Sequence, residues 1–325
     1  MRTKDESPTA RHTEQSLAAA SKLPALVESA GSNARFAYEE FIYGKIRNTS
    51  TRKNYSHAIR KFLCFSKKRG RKLGDIMPRD VGEFIDSMPH SDATKKLYLS
   101  AIRHFFDILV QRHVTLLNPA ATVRGPRLKV VEGKTPEIGI ENARKLLESL
   151  NISTLVGLRD RAIIAIMIYT AARVSAVSRL NVKDFYDIGS QYCIRLGEKG
   201  GKSREIPCRH DLQLFIQEYM KKAEPTSKEF PLFLTAIGKT DRLSERRMSS
   251  GDISRMVKRK CRQAHMPPSF SPHSFRVTTI TDLLNQGVPL EDVQHLAGHA
   301  DPRTTRLYDR RRRKVTRNIV ERISI

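Results

Sequence analysis

The sequence lacks any long apolar segment. Its longest unbroken apolar run, Ala162–Tyr169, is far shorter than the roughly 20 residues that a helix needs to cross a bilayer. Near the N-terminus only Leu17–Ala20 is apolar, which is too little for a secretory signal. These absences argue against a membrane-spanning or exported protein, and we expect a cytoplasmic one.

Cysteine is scarce, and its spacing does not suit a metal site. No two cysteines form a Cys-x-x-Cys pair, and no group of histidines completes a zinc site. A chain of 325 residues can bury apolar cores and does not need disulfides for stability. We therefore expect free thiols in a reducing compartment, and neither a metal nor another cofactor. The cysteines are Cys64, Cys193, Cys208 and Cys261.

Acidic residues are too few to balance the basic ones. The chain contains 59 Lys plus Arg but only 34 Asp plus Glu, which gives a formal net charge of +25. Such a charge opposes compaction by self-repulsion, so it indicates a polyanionic partner. Nucleic acid is the first candidate for this partner. An anionic membrane surface is the second, and we set it aside together with the membrane-spanning class of protein.

The length predicts two domains. Residues 1–31 are small, polar and weakly periodic, which predicts a flexible N-terminal arm or a single docking helix. Residues 32–125 predict an all-helical domain, with helices from Thr49 to Gly70, over Pro78–Met88 and over Ala93–Arg112.

The outward face of these helices is rich in basic residues and poor in acids. This composition favours a surface that binds DNA phosphates over an ordinary solvated face. The residues that we expect to contact DNA there are Arg52, Lys53, Arg60, Lys95 and Lys96.

The second half of the chain predicts a different kind of domain. Residues 126–138 contain glycine and proline among basic residues and predict an interdomain linker. In residues 139–325, helical patterns cover Glu141–Leu150 and run from about Leu158 to Leu180, while residues 191–208 have the pattern of a β-hairpin. Helices follow to the end. The expected fold is mainly α with a small β-hairpin or sheet, an α+β domain after an all-α bundle.

Six residues of this second domain could act together on an anion, although each has an ordinary explanation by itself. An isolated Arg or Lys is usually a solvated cation, and a lone His or Tyr is usually a packing residue. His273 and Arg276 are three apart on a predicted helix and so share one face. Gly298 ends one helix, and Asp301-Pro302 begins the next. The six residues are Arg173, Lys199, His273, Arg276, His299 and Tyr308.

In this order, the six residues resemble the catalytic set of the tyrosine recombinase (phage integrase) family, of the two-domain Xer and Cre kind. The likeness consists of an Arg, a Lys in a hairpin, His-x-x-Arg, Gly-His, and a Tyr nine residues later. It extends over roughly residues 35–315, because the first helical domain also resembles the family's core-binding, SAM-like domain. It implies a nucleoid-associated, site-specific DNA recombinase that needs neither metal nor ATP.

The resemblance implies a nucleophile and a phosphate clamp. Tyr308 would attack phosphorus, which gives a 3′-phosphotyrosyl bond and a free 5′-hydroxyl. Arg173 and Arg276 would hold the non-bridging oxygens, because a guanidinium is charged at any working pH and matches phosphate in a fork geometry. The covalent bond conserves the phosphoester energy, so that religation needs no ATP.

The resemblance also implies roles in proton transfer. His273 would accept the phenolic proton, and His299 would hydrogen-bond the scissile phosphate. Lys199 would protonate the leaving 5′-oxygen, with Lys202 as the alternative lysine, because one sequence does not set the hairpin register. Further DNA contacts are expected from Lys202, Arg204 and Arg303.

The chain departs from the family pattern at two positions. Ala176 stands three residues after the first arginine, where the family usually has an acid that supports the active-site cations. Val277 stands where a second histidine often follows the His-x-x-Arg arginine. We expect activity all the same, with support from Glu198 or another acid.

The C-terminal segment combines strong positive charge with an apolar stripe. Residues 303–317 hold eight basic residues and one acid, which favours contact with DNA. Val315, Ile319 and Ile323 recur at helical spacing, and such a stripe must be buried on its own domain or on a neighbouring subunit. Since the family donates this helix around a tetramer on paired DNA sites, we expect a homotetramer.

Two other functions remain open from the sequence. A type IB topoisomerase shares this chemistry but acts as a monomer without pairing two sites. A catalytically silent relative that binds DNA or regulates other proteins would carry the same basic surfaces.

Overall fold

The computed structural model describes residues 23–127, 135–197, 203–309 and 321. It is mainly helical with two small antiparallel sheets, which confirms the predicted fold class. The chain divides into two compact units, residues 1–129 and 130–325. Among the described residues, no helix combines the length and the apolar character needed to cross a membrane.

The first unit is built from helices alone. The side chains of Asn48 and Ser91 accept hydrogen bonds from the backbone N–H groups of Thr51 and Thr94, and so begin the two longest helices. The three predicted helices are confirmed. The helices are α1 (Ala25–Ser29), α2 (Ser32–Glu39), α3 (Thr49–Lys68), α4 (Pro78–Ser87) and α5 (Asp92–Gln111), with a π-helical segment (Glu40–Lys45) after α2.

Aromatic rings fill the centre of this unit. Phe62 on α3 meets Phe84 on α4 at a centroid distance of 5.2 Å, and Phe105 and Phe106 of α5 pack beside them. Part of the expected N-terminal arm joins this core, because residues 23–31 include α1. Residues 1–22 lie outside the described part of the chain.

The second unit surrounds one buried helix. The central residues of α7 are buried on all sides, which explains why that part of the sequence reads as a continuous apolar run. The helices of this unit are α6 (Ile140–Glu148), α7 (Leu155–Tyr169), α8 (Val174–Val177), α9 (His210–Ala223), α10 (Ser250–Gln263), α11 (Pro272–Asn285), α12 (Leu290–Ala297) and α13 (Pro302–Arg306).

Two antiparallel sheets complete the second unit. The predicted hairpin is confirmed as β2 (Tyr192–Gly197) and β3 (Ser203–Pro207), with Leu196 opposite Arg204. Strand β1 (Phe185–Asp187) adds a third strand to it. The expectation of helices alone after this hairpin is wrong, because β4 (Leu234–Ala236) and β5 (Leu243–Arg247) form a second hairpin. These strands are short and half-exposed, so they lack the apolar alternation that identifies a strand.

The predicted single helix from Leu158 to Leu180 is also wrong. Helix α7 ends at Tyr169, and the hydroxyl of Thr170 donates a hydrogen bond to the Ile166 carbonyl. Ala171 then adopts a left-handed backbone conformation, with φ of 49°. An L-residue with a side chain strains in this region, so tertiary contacts hold it there. The chain leaves the helix for four residues and begins α8 at Val174.

Candidate active site

The break between α7 and α8 presents Arg173. This residue has an extended backbone and stands at the N-cap position of α8. Both terminal nitrogens of its guanidinium lie 3.4 Å from the carbonyl oxygen of Gly298. The break in the helix, which the sequence pattern does not predict, thus brings Arg173 to the end of α12.

Helix α11 carries His273 and Arg276 on one face, as the three-residue spacing predicts. Pro272 is the first residue of this helix, where its missing N–H costs no hydrogen bond. His273 lies at the exposed end, while the Arg276 side chain is only 1% exposed. The Arg276 guanidinium donates a hydrogen bond to the carbonyl oxygen of Ala171. One arginine of the predicted clamp therefore holds the turn that carries the other.

The end of α12 positions His299. Gly298 terminates the helix with a left-handed conformation at φ of 61°, which a glycine adopts without steric cost. His299 follows and is 7% exposed. Its Nδ1 lies 2.9 Å from the hydroxyl oxygen of Thr305, and its carbonyl oxygen accepts a hydrogen bond from Gln294. The Thr305 contact orients the imidazole, and the Gln294 contact holds the backbone of the same residue.

Helix α13 brings Tyr308 to the same place. The helix begins as predicted, with the Asp301 side chain accepting a hydrogen bond from the backbone N–H of Arg303. Tyr308 follows it and is 9% exposed. Its hydroxyl oxygen lies 3.4 Å from Nε2 of His273, and its ring stacks on the His299 imidazole at a centroid distance of 6.0 Å.

Five of the six predicted residues therefore converge on one region of the second unit. Arg173 meets the backbone beside His299, Arg276 meets the turn before Arg173, and Tyr308 meets both histidines. The elements that supply them are separated by 125 residues for Arg173 and Gly298 and by 105 for Arg276 and Ala171. The sixth residue, Lys199, and its alternative, Lys202, lie outside the described residues.

Both histidines of this cluster favour the neutral form. Burial lowers the pKa of His299 to about 3, and the positive charges of Arg276 and Arg173 act in the same direction. The protein atoms that displace water from part of the His273 ring also lower its pKa, again together with the charges of Arg276 and Arg173. A neutral imidazole has one nitrogen that accepts a hydrogen bond, so each ring can serve as a hydrogen-bond acceptor at neutral pH.

The phenol of Tyr308 is subject to opposing effects. Burial raises its pKa, whereas Arg276 and Arg173 lower it by stabilising the phenolate. The net direction is upward, so the phenol keeps its proton at neutral pH. Its reaction as a nucleophile thus requires a proton acceptor, and the His273 ring is within 3.4 Å.

The two departures from the family pattern both lie in apolar surroundings. Ala176 is 1% exposed and belongs to the main core of the second unit. Val277 belongs to a smaller apolar cluster that also contains Ala171 and Tyr308. Glu198, the expected source of a supporting carboxylate, lies outside the described residues.

The residues expected to contact DNA in the first unit differ in how exposed their side chains are. Lys53 and Lys96 are exposed, and Lys96 lines a cavity of about 540 Å³ between α3 and α5. Arg60 and Lys95 are half-buried. Arg52 is also half-buried: it donates two hydrogen bonds to the Ile46 carbonyl at 2.9 and 3.2 Å and lies over the Tyr43 ring. The guanidinium of Arg52 therefore has a structural contact in the first unit.

In the second unit, Arg303 is exposed but Arg204 is not. The side chains of β3 alternate between exposed and buried, and Arg204 occupies a buried position on the same face as Ile206. The expectation that Arg204 contacts DNA stays a prediction, for a side chain that faces the core of the second unit. The period of two in Ser203–Pro207 already implied this, because Ile206 must point inward.

Sequence reasoning missed two other features of the site. Thr305, which contacts the His299 ring, follows a helix cap and looks like an ordinary polar helix residue. The left-handed conformation of Ala171 left no trace in the sequence, because alanine rarely adopts it.

Residues 138–314 match the Phage integrase family, and residues 38–113 match the family described as Phage integrase, N-terminal SAM-like domain. The first match covers more than half of the chain. Each match falls within one of the two compact units.

Two tyrosine recombinases are similar in sequence to much of this chain. The tyrosine recombinase XerC of Pelobacter propionicus is 32% identical over 265 residues, which cover 78% of this chain and 82% of that protein. The tyrosine recombinase XerC of Chlamydia pneumoniae is 32% identical over 218 residues, and the match covers 66% of this chain and 66% of that protein.

Solved structures share the fold. The XerH site-specific recombinase bound to palindromic difH substrate, in a post-cleavage complex, superposes with a TM-score of 0.67 at 21% identity, covering 89% of this chain and 85% of that one. A lambda integrase(75–356) dimer bound to a COC′ core site superposes with a TM-score of 0.62 at 18% identity, covering 85% of this chain and 93% of that one.

Proposed function

The chain belongs to the phage integrase family, and from this membership we propose that it is a site-specific DNA recombinase of the tyrosine type. It cleaves a DNA strand with Tyr308, holds the strand end through a 3′-phosphotyrosyl bond, and passes it to a 5′-hydroxyl of the partner site. The relatives named tyrosine recombinase XerC and the fold shared with DNA-bound recombinases support this function.

One observation carries the proposal for this chain's own residues. The hydroxyl oxygen of Tyr308 lies 3.4 Å from Nε2 of His273, beside the two arginines that lower the pKa of His273. A phenol, a proton acceptor and two guanidiniums are the groups that an attack on a phosphodiester requires. The convergence of four elements distant in sequence on this region supports a shared task.

The two arginines bind the scissile phosphate. The phosphodiester is an anion that repels nucleophiles, and negative charge grows on its non-bridging oxygens in the transition state. A guanidinium has five N–H donors, so that one side can contact a backbone carbonyl while another binds phosphate oxygens. Arg276 in particular is held from the side of Ala171, which pre-orients it before DNA binds.

Proton transfers then balance the reaction. The phenolic oxygen of Tyr308 forms a bond to phosphorus as its proton passes to Nε2 of His273. The bond from phosphorus to the 5′-oxygen breaks, and Lys199 donates a proton to that oxygen, with Lys202 as the alternative donor. His299 hydrogen-bonds a phosphate oxygen, and its contact with Thr305 orients the ring. Religation runs these steps in reverse.

The protein acts on double-stranded DNA with paired recombination sites. The basic helices of the first unit contact one side of each site, through Lys53, Lys96 and their neighbours, and Arg303 contacts DNA beside Tyr308. Four copies assemble on two sites, joined by the C-terminal segment with Val315, Ile319 and Ile323, which lies outside the described residues. We place this activity in the cytoplasm, at the nucleoid.

A covalent-trapping experiment tests the cleavage chemistry. A site is first selected from random duplex DNA with the variant Tyr308→Phe, which binds without cutting. A nick beside the cleavage position in that site then lets a short fragment diffuse away after cleavage and traps the adduct. The wild-type protein should form an adduct that resists denaturation, and Tyr308→Phe should form none. A wild-type protein that binds this DNA tightly without an adduct would identify a silent DNA-binding protein.

A second experiment tests strand exchange between two sites. A supercoiled plasmid with two selected sites should yield two recombinant circles, whereas relaxation without recombinants would identify a topoisomerase. A protein truncated after Arg313 should still cleave single sites but should form no synaptic tetramer. Full tetramer formation by the truncated protein would remove the C-terminal helix from the assembly.

A further inference from the structure

A third arginine reaches the active site from the hairpin. Arg204 lies on β3 opposite Leu196, at a position that faces the core, and its side chain is 9% exposed. A guanidinium cannot lose its charge in a protein, so burying one is costly unless hydrogen bonds compensate. The Nη1 atom of Arg204 donates a hydrogen bond to the carbonyl oxygen of Thr170, at 3.4 Å. The strand therefore carries a buried cation where its pattern calls for an apolar side chain.

The carbonyl that Arg204 contacts belongs to the turn before Arg173. This turn leaves helix α7 through the left-handed residue Ala171, so that its carbonyls are removed from the regular helical ladder. Arg204 contacts the Thr170 carbonyl from β3, and Arg276 contacts the next carbonyl, that of Ala171, from α11. Two guanidiniums from different elements thus hold two successive peptide groups of one strained turn.

Arg204 also acts on the histidine beside the nucleophile. Its charge is among those that lower the pKa of His299. Among the residues that the structure describes, Arg173, His273 and Arg276 also lower this pKa, and the Tyr308 ring stacks on the imidazole. Arg204 is therefore close enough to the imidazole of His299 to influence it electrostatically.

We propose that Arg204 is a positioning residue of the active site, which fixes the turn that presents Arg173 beside His299. This inference rests on the proposed recombinase function. It also addresses the departure at position 176, where Ala176 provides no carboxylate to support the cations. The carbonyl oxygens of Thr170, Ala171 and Gly298 accept hydrogen bonds from Arg204, Arg276 and Arg173, respectively.

The test compares Arg204→Gln with a control from the same hairpin. Arg195 lies on β2 directly opposite Glu205, is exposed, and forms an ion pair with it. Arg195→Gln removes one positive charge from the outer face of the sheet, whereas Arg204→Gln removes one from the inner face. Single-turnover formation of the covalent adduct is measured with saturating protein on the nicked substrate, so that a change in DNA affinity does not limit the rate.

Arg204→Gln should slow adduct formation by at least about tenfold, because a displaced Arg173 loses its alignment with the phosphate. Arg195→Gln should react at the wild-type rate. Removal of a nearby positive charge raises the pKa of His299, so the acid limb of the pH–rate profile should move to higher pH in Arg204→Gln alone. A purely structural role would lower the rate without this movement. Equal rates and equal profiles for the two variants would overturn the inference.

Two further measurements separate the possible failures. Arg204→Lys keeps the charge but loses the fork, so it should fold, leave the acid limb in place and still slow the reaction. NMR titration of His299 in DNA-free protein needs no catalysis: its pKa should rise in Arg204→Gln and stay unchanged in Arg195→Gln. A wild type that forms no adduct while the pKa of His299 still rises in Arg204→Gln would refute the recombinase function but support the location of Arg204 beside His299. An unchanged His299 in Arg204→Gln would overturn the inference whatever the activity.

Discussion

The buried imidazole of His299 makes the stability of the second unit depend on pH. Its pKa is about 3 in the folded protein, against an ordinary value of about 6.5 for an unfolded chain. The unfolded chain therefore binds a proton at a higher pH than the folded protein does. For a base whose pKa is lowered in the folded state, protonation costs no stability above about pH 6.5, and the free energy of unfolding decreases as the pH falls from there towards 3.

The size of this effect follows from the two pKa values. At pH 7.5 the imidazole is neutral in both states, and the contribution to unfolding is close to zero. At pH 5 the unfolded chain is almost fully protonated at this position, whereas the folded protein is not. Linkage then gives a loss of about 2 kcal/mol in the free energy of unfolding between pH 7.5 and pH 5 from this single group.

Urea denaturation followed by far-ultraviolet circular dichroism measures this loss. Other groups titrate over the same range, so the wild type is compared with His299→Asn, in which the side-chain amide can still contact Thr305. Between pH 7.5 and pH 5, the free energy of unfolding of the wild type should decrease by about 2 kcal/mol more than that of the variant. Identical losses in the two proteins would refute the reasoning, as would a directly measured pKa of His299 near 6.5.

Three other substitutions test separate parts of the structure. Thr305→Val removes the hydroxyl 2.9 Å from Nδ1 of His299 without changing the volume of the side chain, and should slow adduct formation by about tenfold in single-turnover assays while the melting temperature changes little. Arg276→Lys should slow the same step by about a hundredfold or more, because an ammonium lacks the fork that joins the Ala171 carbonyl to a phosphate; a rate within a few-fold of wild type would remove Arg276 from the clamp. Gly157→Ala should reduce the free energy of unfolding by about 2 kcal/mol or more, measured in urea, because the added Cβ would lie 1.6 Å from the carbonyl oxygen of Asn151; a loss below about 0.5 kcal/mol would show that this backbone can yield.

Local features of the fold were predictable where local interactions decide them. The helices that begin at Thr49, Asp92 and Pro302 follow polar caps, and a proline begins the last of them, so their positions required only neighbouring residues. The hairpin of β2 and β3 was readable from its alternation around a glycine-rich tip. The hairpin of β4 and β5 was not, because it is held by its pairing and its side chains are mostly half-exposed or exposed.

The break after α7 depends on contacts that lie far away in sequence. Residues 158–180 have enough apolar character for one continuous helix. A left-handed alanine is unfavourable by itself, so the observed turn requires compensation from outside it. Arg276, 105 residues later, supplies part of that compensation through the Ala171 carbonyl. The pattern of apolar residues within 158–180 does not contain this contact, because Arg276 lies outside the segment.

The amino-acid sequence by itself determined the types and order of the reactive groups: the two arginines, the two histidines and the tyrosine. Local signals place three of them, because His273 follows a proline, His299 follows a glycine and Tyr308 follows a capped helix. Only the tertiary structure decided that the Tyr308 hydroxyl faces His273, that the His299 ring is buried beside it, and that Arg204 points inward under the same turn. The reason is physical. Helix caps and turns depend on hydrogen bonds between neighbours in the chain, whereas the charge state and direction of these side chains depend on burial and on partners from other elements of the fold.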